Sequence, residues 1–169
     1  MDLPETKSAS LSIIVDLFNS GVKIRRGALS GEIRGAPNSA CGSEGDPRAI
    51  LFSKDITLEP GGNLSIVLNS EEFPQLNVSS PWLWWPNNCG KQELYSLDLK
   101  VSAGGGLSDT YNTRFGIREV ASYFNEAGWR GFTVNGRDVL IRGGGYADDM
   151  LLRPSAYRDE MQVLYAKDM

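Results

Sequence analysis

The most regular feature of this chain is a two-residue alternation of apolar and polar side chains. Between residues 9 and 17 the odd positions are all apolar, while Ser10, Ser12 and Asp16 lie between them. Successive side chains of an extended strand point to opposite faces, so this period predicts a half-buried β-strand.

The same alternation recurs as far as about residue 117. It predicts strands at about 22–33, 50–58, 64–68, 94–101 and 110–117, with turns rich in glycine, proline, serine and asparagine between them. Short strands with no helical pattern between them are typical of an antiparallel sandwich, in which two sheets share one core. Residues 1–120 are therefore predicted to form a mainly β, immunoglobulin-like sandwich. The term describes architecture alone, because the cysteine and tryptophan spacing of antibody domains is absent.

A different pattern begins after about residue 119. Two short apolar segments, 132–134 and 139–141, flank the dipeptide Asn135-Gly136. This dipeptide predicts a β-hairpin, because both residues tolerate the positive φ angles of a two-residue turn.

A helix is predicted to follow over 155–169. Ser155 is a suitable N-cap, and Asp159 suits the positive end of the helix dipole. The core-facing stripe is predicted from residues at helical spacing, namely Tyr157, Met161, Leu164 and Tyr165. The helical pattern reaches Met169 without a stop signal, which is typical of a chain cut from a longer one.

Charge and hydropathy exclude several classes of partner. Lys and Arg number 17 and Asp and Glu number 21, which gives a formal net charge of −4. Nucleic acids and anionic membranes attract clustered positive charge, so neither is a predicted partner. No apolar run approaches the roughly 20 residues that span a bilayer, and the first residues do not form a signal peptide. The compartment stays open, with extracellular and vacuolar or lysosomal locations both compatible.

The chain contains no histidine, which limits its chemistry. It has no Ser–His or Cys–His nucleophile arrangement, so acid–base chemistry would need carboxylates, lysine or tyrosine. Its two cysteines, Cys41 and Cys89, form no metal-binding motif and could be paired or free. Neither a metal nor a cofactor is predicted.

The segment 81–86 holds three of the four tryptophans. Tryptophan buries a large apolar area and also stacks on sugar rings, so packing and carbohydrate binding are both open interpretations, with packing favoured. In a strand, Trp82 and Trp84 would share one face and Trp85 the other. Asp148 and Asp149 are adjacent, so an extended backbone would point them apart rather than form a carboxylate pair.

Several motifs together resemble the family 2 glycoside hydrolases. Residues 84–90 with Leu94-Tyr95 resemble that family's WWP…G…LY signature, and residues 114–118 resemble its FGIR strand. Residues 132–136 and 140–145 resemble its entry into the catalytic barrel. The continuation to Arg153 is most similar to the exo-β-D-glucosaminidase branch, with the plant endo-β-mannosidases second.

This resemblance implies a layout of two parts. Residues 1–120 would be the sandwich that precedes the barrel. Residues 121–169 would be a linker with the first strand, 139–142, and the first helix of an incomplete (β/α)8 barrel. The segment 132–154 would be the seam between the two parts.

The resemblance also implies a function. The family retains anomeric configuration with two glutamates on later barrel strands, so this chain would hold no catalytic residue and would act as a scaffold. The parent enzyme would hydrolyse terminal β-linked glucosamine in chitosan oligomers, with the rest of the barrel or another chain as partner. The resemblance implies substrate contacts from Asp149, Tyr146 and Trp84. Asp149 would hold the sugar's amino group or, in the alternative interpretation, be a solvated loop residue. The alternative is a non-catalytic module that binds a carbohydrate or a protein through the cluster Trp82–Trp85.

Overall fold

A computed structural model describes residues 6–35, 49–143, 145, 153 and 155–168. The chain divides into two compact units, Met1–Val139 and Leu140–Met169. All the strands described belong to the first unit, and the helix belongs to the second. The predicted domain boundary at residue 120 stays a prediction.

Eleven strands and one α-helix are present in the described residues. The strands are β1 (Ser8–Ser10), β2 (Ile13–Phe18), β3 (Arg25–Arg34), β4 (Ile50–Leu58), β5 (Asn63–Leu68), β6 (Asn77–Ser79), β7 (Tyr95–Ala103), β8 (Gly106–Phe115), β9 (Val120–Phe124), β10 (Arg130–Val134) and β11 (Arg137–Asp138). The helix is α1 (Ala156–Asp168), and a single 3-10 turn covers Pro74–Leu76. Each strand predicted between residues 9 and 117 is present, with its ends shifted by a few residues.

Two antiparallel layers form the body of the first unit. One is a four-stranded sheet in the order β4-β3-β7-β8. The other is a long ribbon in which β2 pairs with β5 and, beyond a break in the strands, β1 pairs with β6. The structure is mainly β and antiparallel, which agrees with the predicted sandwich.

One continuous apolar core lies between these layers. Leu29 and Ile33 of β3 are almost fully buried, as is Leu68 of β5. The odd-numbered apolar residues of β1 and β2 pack against this core, which confirms the face predicted from the alternation. Gly31 lies opposite Phe52, and a Cβ at this glycine would stand 2.1 Å from the Phe52 ring. The missing side chain thus makes room for an aromatic ring in the core.

A three-stranded antiparallel sheet, β9-β10-β11, follows the sandwich in sequence. Its hairpin turn is the predicted Asn135-Gly136, with φ angles of 50° and 75°. β9 was not predicted from the sequence. All of its side chains are exposed, so the strand has no buried face that would produce an alternation of apolar and polar residues.

The second arm of this hairpin is shorter than predicted. β11 covers only Arg137–Asp138, and the Val139 amide donates one further bond to the Phe132 carbonyl at 2.9 Å. The prediction of a strand over 139–142 is wrong for this chain, since residues 140–143 are in no strand. A parallel barrel strand takes its backbone hydrogen bonds from neighbouring strands, and no described segment pairs with these residues. The start of a barrel therefore stays a prediction about a longer protein.

The helix α1 begins as predicted. The Ser155 hydroxyl accepts a bond from the Arg158 amide at 3.4 Å, as an N-cap does. The predicted core-facing stripe is wrong for this chain, because Tyr157, Leu164 and Tyr165 are all exposed. A helix of 13 residues needs a packing partner for most of its stability. In the described ranges, no helix is long and apolar enough to cross a membrane.

A hydrogen bond ties the outer strands of the three-stranded sheet together. The Tyr123 hydroxyl of β9 donates to the Asp138 carboxylate of β11 at 2.7 Å. The tyrosine ring crosses β10 at Gly131, where an added Cβ would stand 2.5 Å from it. This bond, and to a smaller extent burial, raises the pKa of the Tyr123 phenol above its usual 10.0.

The Asp138→Asn substitution should lower the pKa of Tyr123, because it removes the carboxylate that favours the protonated phenol. The stabilisation from this bond is present below pH 10 and is lost as the pH rises through the higher pKa of the folded protein. The measurement is an NMR titration of the tyrosine ring carbons, with Tyr123→Phe to assign the signal. The control, Asp109→Asn, removes an exposed carboxylate of β8 and should leave the titration unchanged. An equal effect of both variants would contradict the assignment.

Candidate functional site

The tryptophan segment 81–86 is held by backbone bonds on both sides. Leu83 bridges Ile117 in parallel, and Trp84 bridges Gln92 in the antiparallel sense. The Trp84 amide donates to the Ile117 carbonyl at 2.9 Å, and the Trp85 amide donates to Lys91 at 3.0 Å. The segment thus has a fixed position although it lies in no regular strand.

Trp82 extends an aromatic column inside the sandwich. Its ring stacks on Tyr95 with centroids 6.2 Å apart, and Tyr95 stacks on Phe115 at 5.5 Å. The Trp82 amide also donates to the Tyr95 hydroxyl at 2.8 Å. A Cβ at Gly35 would stand 2.3 Å from the Trp82 ring, so the glycine admits this ring. Trp82 is therefore a packing residue.

Trp84 packs against the segment that follows β8. A Cβ at Gly116 would stand 2.7 Å from the Trp84 side chain, which places the glycine backbone directly against the indole. The Arg118 guanidinium carbon lies 4.3 Å from the centre of the Trp84 ring, within cation–π range. Two motifs that are far apart in sequence, 84–90 and 114–118, thus pack on each other.

Trp85 contacts a third neighbour. A Cβ at Gly90 would stand 2.8 Å from its side chain. The loop between them is closed by a bond from the Cys89 amide to the Pro86 carbonyl at 3.0 Å, and Asn88 has a positive φ of 66°. The three tryptophans therefore contact three different neighbours and do not stack on one another.

Asn135 joins the tryptophan segment to the hairpin. Its side chain is almost fully buried, accepts the Glu119 amide at 2.9 Å and donates to the Trp84 carbonyl at 3.0 Å. Its backbone amide donates to the Glu119 carbonyl at 2.9 Å. One residue therefore satisfies three polar groups that strand pairing leaves over. We call Trp84, Gly116, Arg118, Glu119 and Asn135 the junction.

The structure locates only one of the three predicted substrate-binding residues. Trp84 is half-buried in the junction. Tyr146 and Asp149 lie outside the described residues, so a site formed by the three stays a prediction. Sequence reasoning missed the linking role of Asn135 and the contact of Arg118, because both depend on contacts distant in sequence. It also did not single out Trp129, whose side chain is 71% exposed.

The junction positions the tryptophan segment and the hairpin relative to each other. The Asn135 side chain and the Glu119 backbone are engaged in hydrogen bonds, and the Arg118 guanidinium is stacked on the Trp84 indole. Among the residues that the structure describes, no group of three or more histidine, cysteine, aspartate or glutamate side chains could hold a metal ion.

Known proteins resemble this chain along its whole length. The model of the glycosyl hydrolases family 2 matches residues 1–118. The exo-β-D-glucosaminidase of Streptomyces avermitilis is 31% identical over 169 residues, which are 100% of this chain and 17% of that protein. The mannosylglycoprotein endo-β-mannosidase of Lilium longiflorum is 43% identical over 100 residues, 57% of this chain and 10% of that protein.

A solved structure is also similar to this chain over most of its length. The exo-chitosanase CsxA of Amycolatopsis orientalis matches with a TM-score of 0.70 at 27% identity, over 97% of this chain and 17% of that chain. The present chain thus spans less than a fifth of the length of these proteins.

Asn135→Ala should lower the free energy of unfolding by about 2–4 kcal/mol. It leaves the part-buried Glu119 amide and Trp84 carbonyl without these partners and places alanine at a positive φ. Asn135→Gly removes the same bonds without the backbone strain, so its loss should be smaller. Urea unfolding followed by tryptophan fluorescence measures both.

The matched control is Asn112→Ala, which removes an exposed amide that donates to Asp98 at 3.3 Å. We expect a change within about 0.5 kcal/mol for this variant. A similarly small change for Asn135→Ala would show that the junction does not hold the structure together.

Proposed function

The chain belongs to family 2 of the glycosyl hydrolases, and on that premise we propose that it is part of a retaining β-glycosidase that removes terminal glucosamine from chitosan oligomers. The observation that carries the proposal is its likeness, over all 169 residues, to an exo-β-D-glucosaminidase. In this proposal residues 1–120 are the immunoglobulin-like domain, and residues 121–169 lead into the first strand and helix of the barrel.

The role proposed for these residues is that of a scaffold. Retaining hydrolysis needs two carboxyl groups about 5 Å apart, one as nucleophile and one as acid and base. By the family resemblance, both glutamates belong to later barrel strands. The junction supports a scaffolding role, because it fixes the hairpin that leads towards residue 140 on the sandwich through Asn135 and Trp84.

One edge of the substrate site is proposed to come from this chain. Asp149 would pair with the ammonium group of a glucosamine unit through a charge-assisted hydrogen bond. Tyr146 and Trp84 would offer aromatic surface to the sugar ring. The oligosaccharide is thus the proposed ligand of the intact enzyme, and no metal or cofactor takes part.

The alternative, a binding module based on Trp82–Trp85, has less support. A module based on this cluster needs accessible ring faces from several tryptophans, whereas Trp82 stacks on Tyr95 and Arg118 occupies one face of the Trp84 ring. Titration of the chain with chitosan and mannan oligomers, followed by tryptophan fluorescence, separates the two proposals. A saturable shift with either sugar would favour the module.

The 169-residue chain alone should not hydrolyse chitosan oligomers, because it would lack both catalytic glutamates. A protein extended along the same coding sequence through the remaining barrel should hydrolyse them. Release of glucosamine, measured for both proteins at equal concentration, is the test. Turnover by the 169-residue chain would refute the scaffold role.

In the extended protein, Asp149→Asn should lower kcat/KM for a β-glucosaminide by about 10–100-fold. A hydrogen bond between charged groups contributes about 1.5–3 kcal/mol, and the neutral amide oxygen accepts from the ammonium group without the negative charge. The loss should be much smaller for the matching β-glucoside, which has no amino group. The control is Asp148→Asn, which removes the neighbouring carboxylate. Equal losses on the two substrates would contradict the role of Asp149.

A further inference from the structure

The two layers of the sandwich differ in width. Strands in a sheet are about 4.8 Å apart, so the four-stranded sheet is about 14 Å wide between its outer strands. The facing ribbon is two strands wide at every level and spans about 5 Å. The ribbon therefore cannot cover the whole inner face of the sheet.

An open groove lies where the cover is missing. It has a volume of about 660 Å³ and runs between β2 and β8. Leu97, Leu99 and Val101 of β7 line it, together with Thr113 and Phe115 of β8. No residue of β5 takes part, so the groove lies on the side of β2 that faces away from its partner strand.

No described strand pairs with the backbone of β2 along this side. The Asn19 amide donates to the Gly62 carbonyl at 3.1 Å, in register with the ladder between β2 and β5. Hydrogen-bonded and non-bonded pairs alternate along an antiparallel ladder, so the odd-numbered residues of β2 bond to β5. The amides of Ile14, Asp16 and Phe18 consequently point away from β5, and no described backbone group accepts from them.

Apolar side chains lie exposed along the same region. Ile14 and Phe18 of β2 are 69% and 62% exposed, and Tyr111 of β8 is 62% exposed. A free strand edge beside an apolar groove is the kind of surface that accepts another strand.

We propose that this groove binds an extended peptide segment of about six residues with apolar side chains at alternate positions. The segment pairs with the free edge of β2, and its apolar side chains lie on β7 and β8. We place its source in polypeptide outside these 169 residues, since they align with only 17% of the length of the similar exo-β-D-glucosaminidase. The inference does not depend on the proposed glycosidase activity.

Two other occupants fit the groove less well. A small apolar ligand would cover the lining but would leave the β2 amides without partners, and buried unpaired amides are costly. The β2 strand of a second copy already points its odd-numbered side chains into its own core, and its other face has the charged Asp16 between Ile14 and Phe18, so it offers no continuous apolar face. A free extended segment satisfies both the amides and the lining.

The test uses a seven-residue peptide in which valine and threonine alternate between two terminal lysines. A flexible glycine–serine linker joins this peptide to the N-terminus of the full chain. The linker gives an effective concentration in the millimolar range. The readout is amide hydrogen exchange at Ile14, Asp16 and Phe18. We expect exchange at least about tenfold slower there than in a matched chain whose peptide has alternating proline in place of threonine.

A groove variant separates specific from non-specific protection. Thr113→Arg places a charged side chain in the groove and should abolish the protection. Asn112→Arg adds the same charge at a neighbouring position of β8 that does not line the groove, and it should preserve the protection. Light scattering reports the oligomeric state of every variant.

Three results would overturn the proposal. They are unchanged exchange at the β2 amides, equal protection by the proline-containing peptide, and protection of these amides in an untagged dimer. The last result would identify a second copy of the chain as the occupant.

Discussion

The organisation of the first unit depends on the hydrogen bonds of the buried Asn135 side chain. It bonds to the Trp84 carbonyl, 51 residues earlier, and to the Glu119 amide, 16 residues earlier. The residue also sits at a φ of 50° in the hairpin turn, a conformation that asparagine adopts more readily than most residues. Turn geometry and tertiary bonding are thus combined at one position. The tryptophan segment, the end of the sandwich and the three-stranded sheet all meet there.

The unequal width of the two sandwich layers leaves part of the apolar sheet uncovered by the described strands. The core around Leu29, Ile33 and Leu68 is well buried, yet the ribbon is too narrow to cover the sheet completely. The chain therefore combines a packed centre with an open apolar margin beside β2. Its helix adds further exposed apolar surface, including Tyr157 and Tyr165. Both features agree with the proposal that these residues act as part of a longer polypeptide.

Most of the sandwich could be predicted from sequence, because burial on one face leaves a two-residue period, as along β2 and β5. The turn at Asn135-Gly136 was predicted for a local reason, the tolerance of positive φ. What failed depended on distant partners. β9 has no buried face, and within the part of the chain that the structure describes residues 140–143 are in no strand and Tyr157, Leu164 and Tyr165 of α1 are exposed. The family motifs singled out Trp84, but only the structure revealed that Trp84 and Asn135 belong to one hydrogen-bonded group.

Native-state hydrogen exchange tests most directly whether the junction joins the sandwich and the three-stranded sheet into one cooperative unit. The Glu119 amide bonds to the Asn135 side chain, and Leu99 lies on the central strand β7. If the junction has this role, the Glu119 and Leu99 amides should exchange through the same opening, with the same free energy and the same dependence on denaturant. Rapid exchange of Glu119 while Leu99 stays protected would show that the three-stranded sheet detaches on its own, and it would contradict the account.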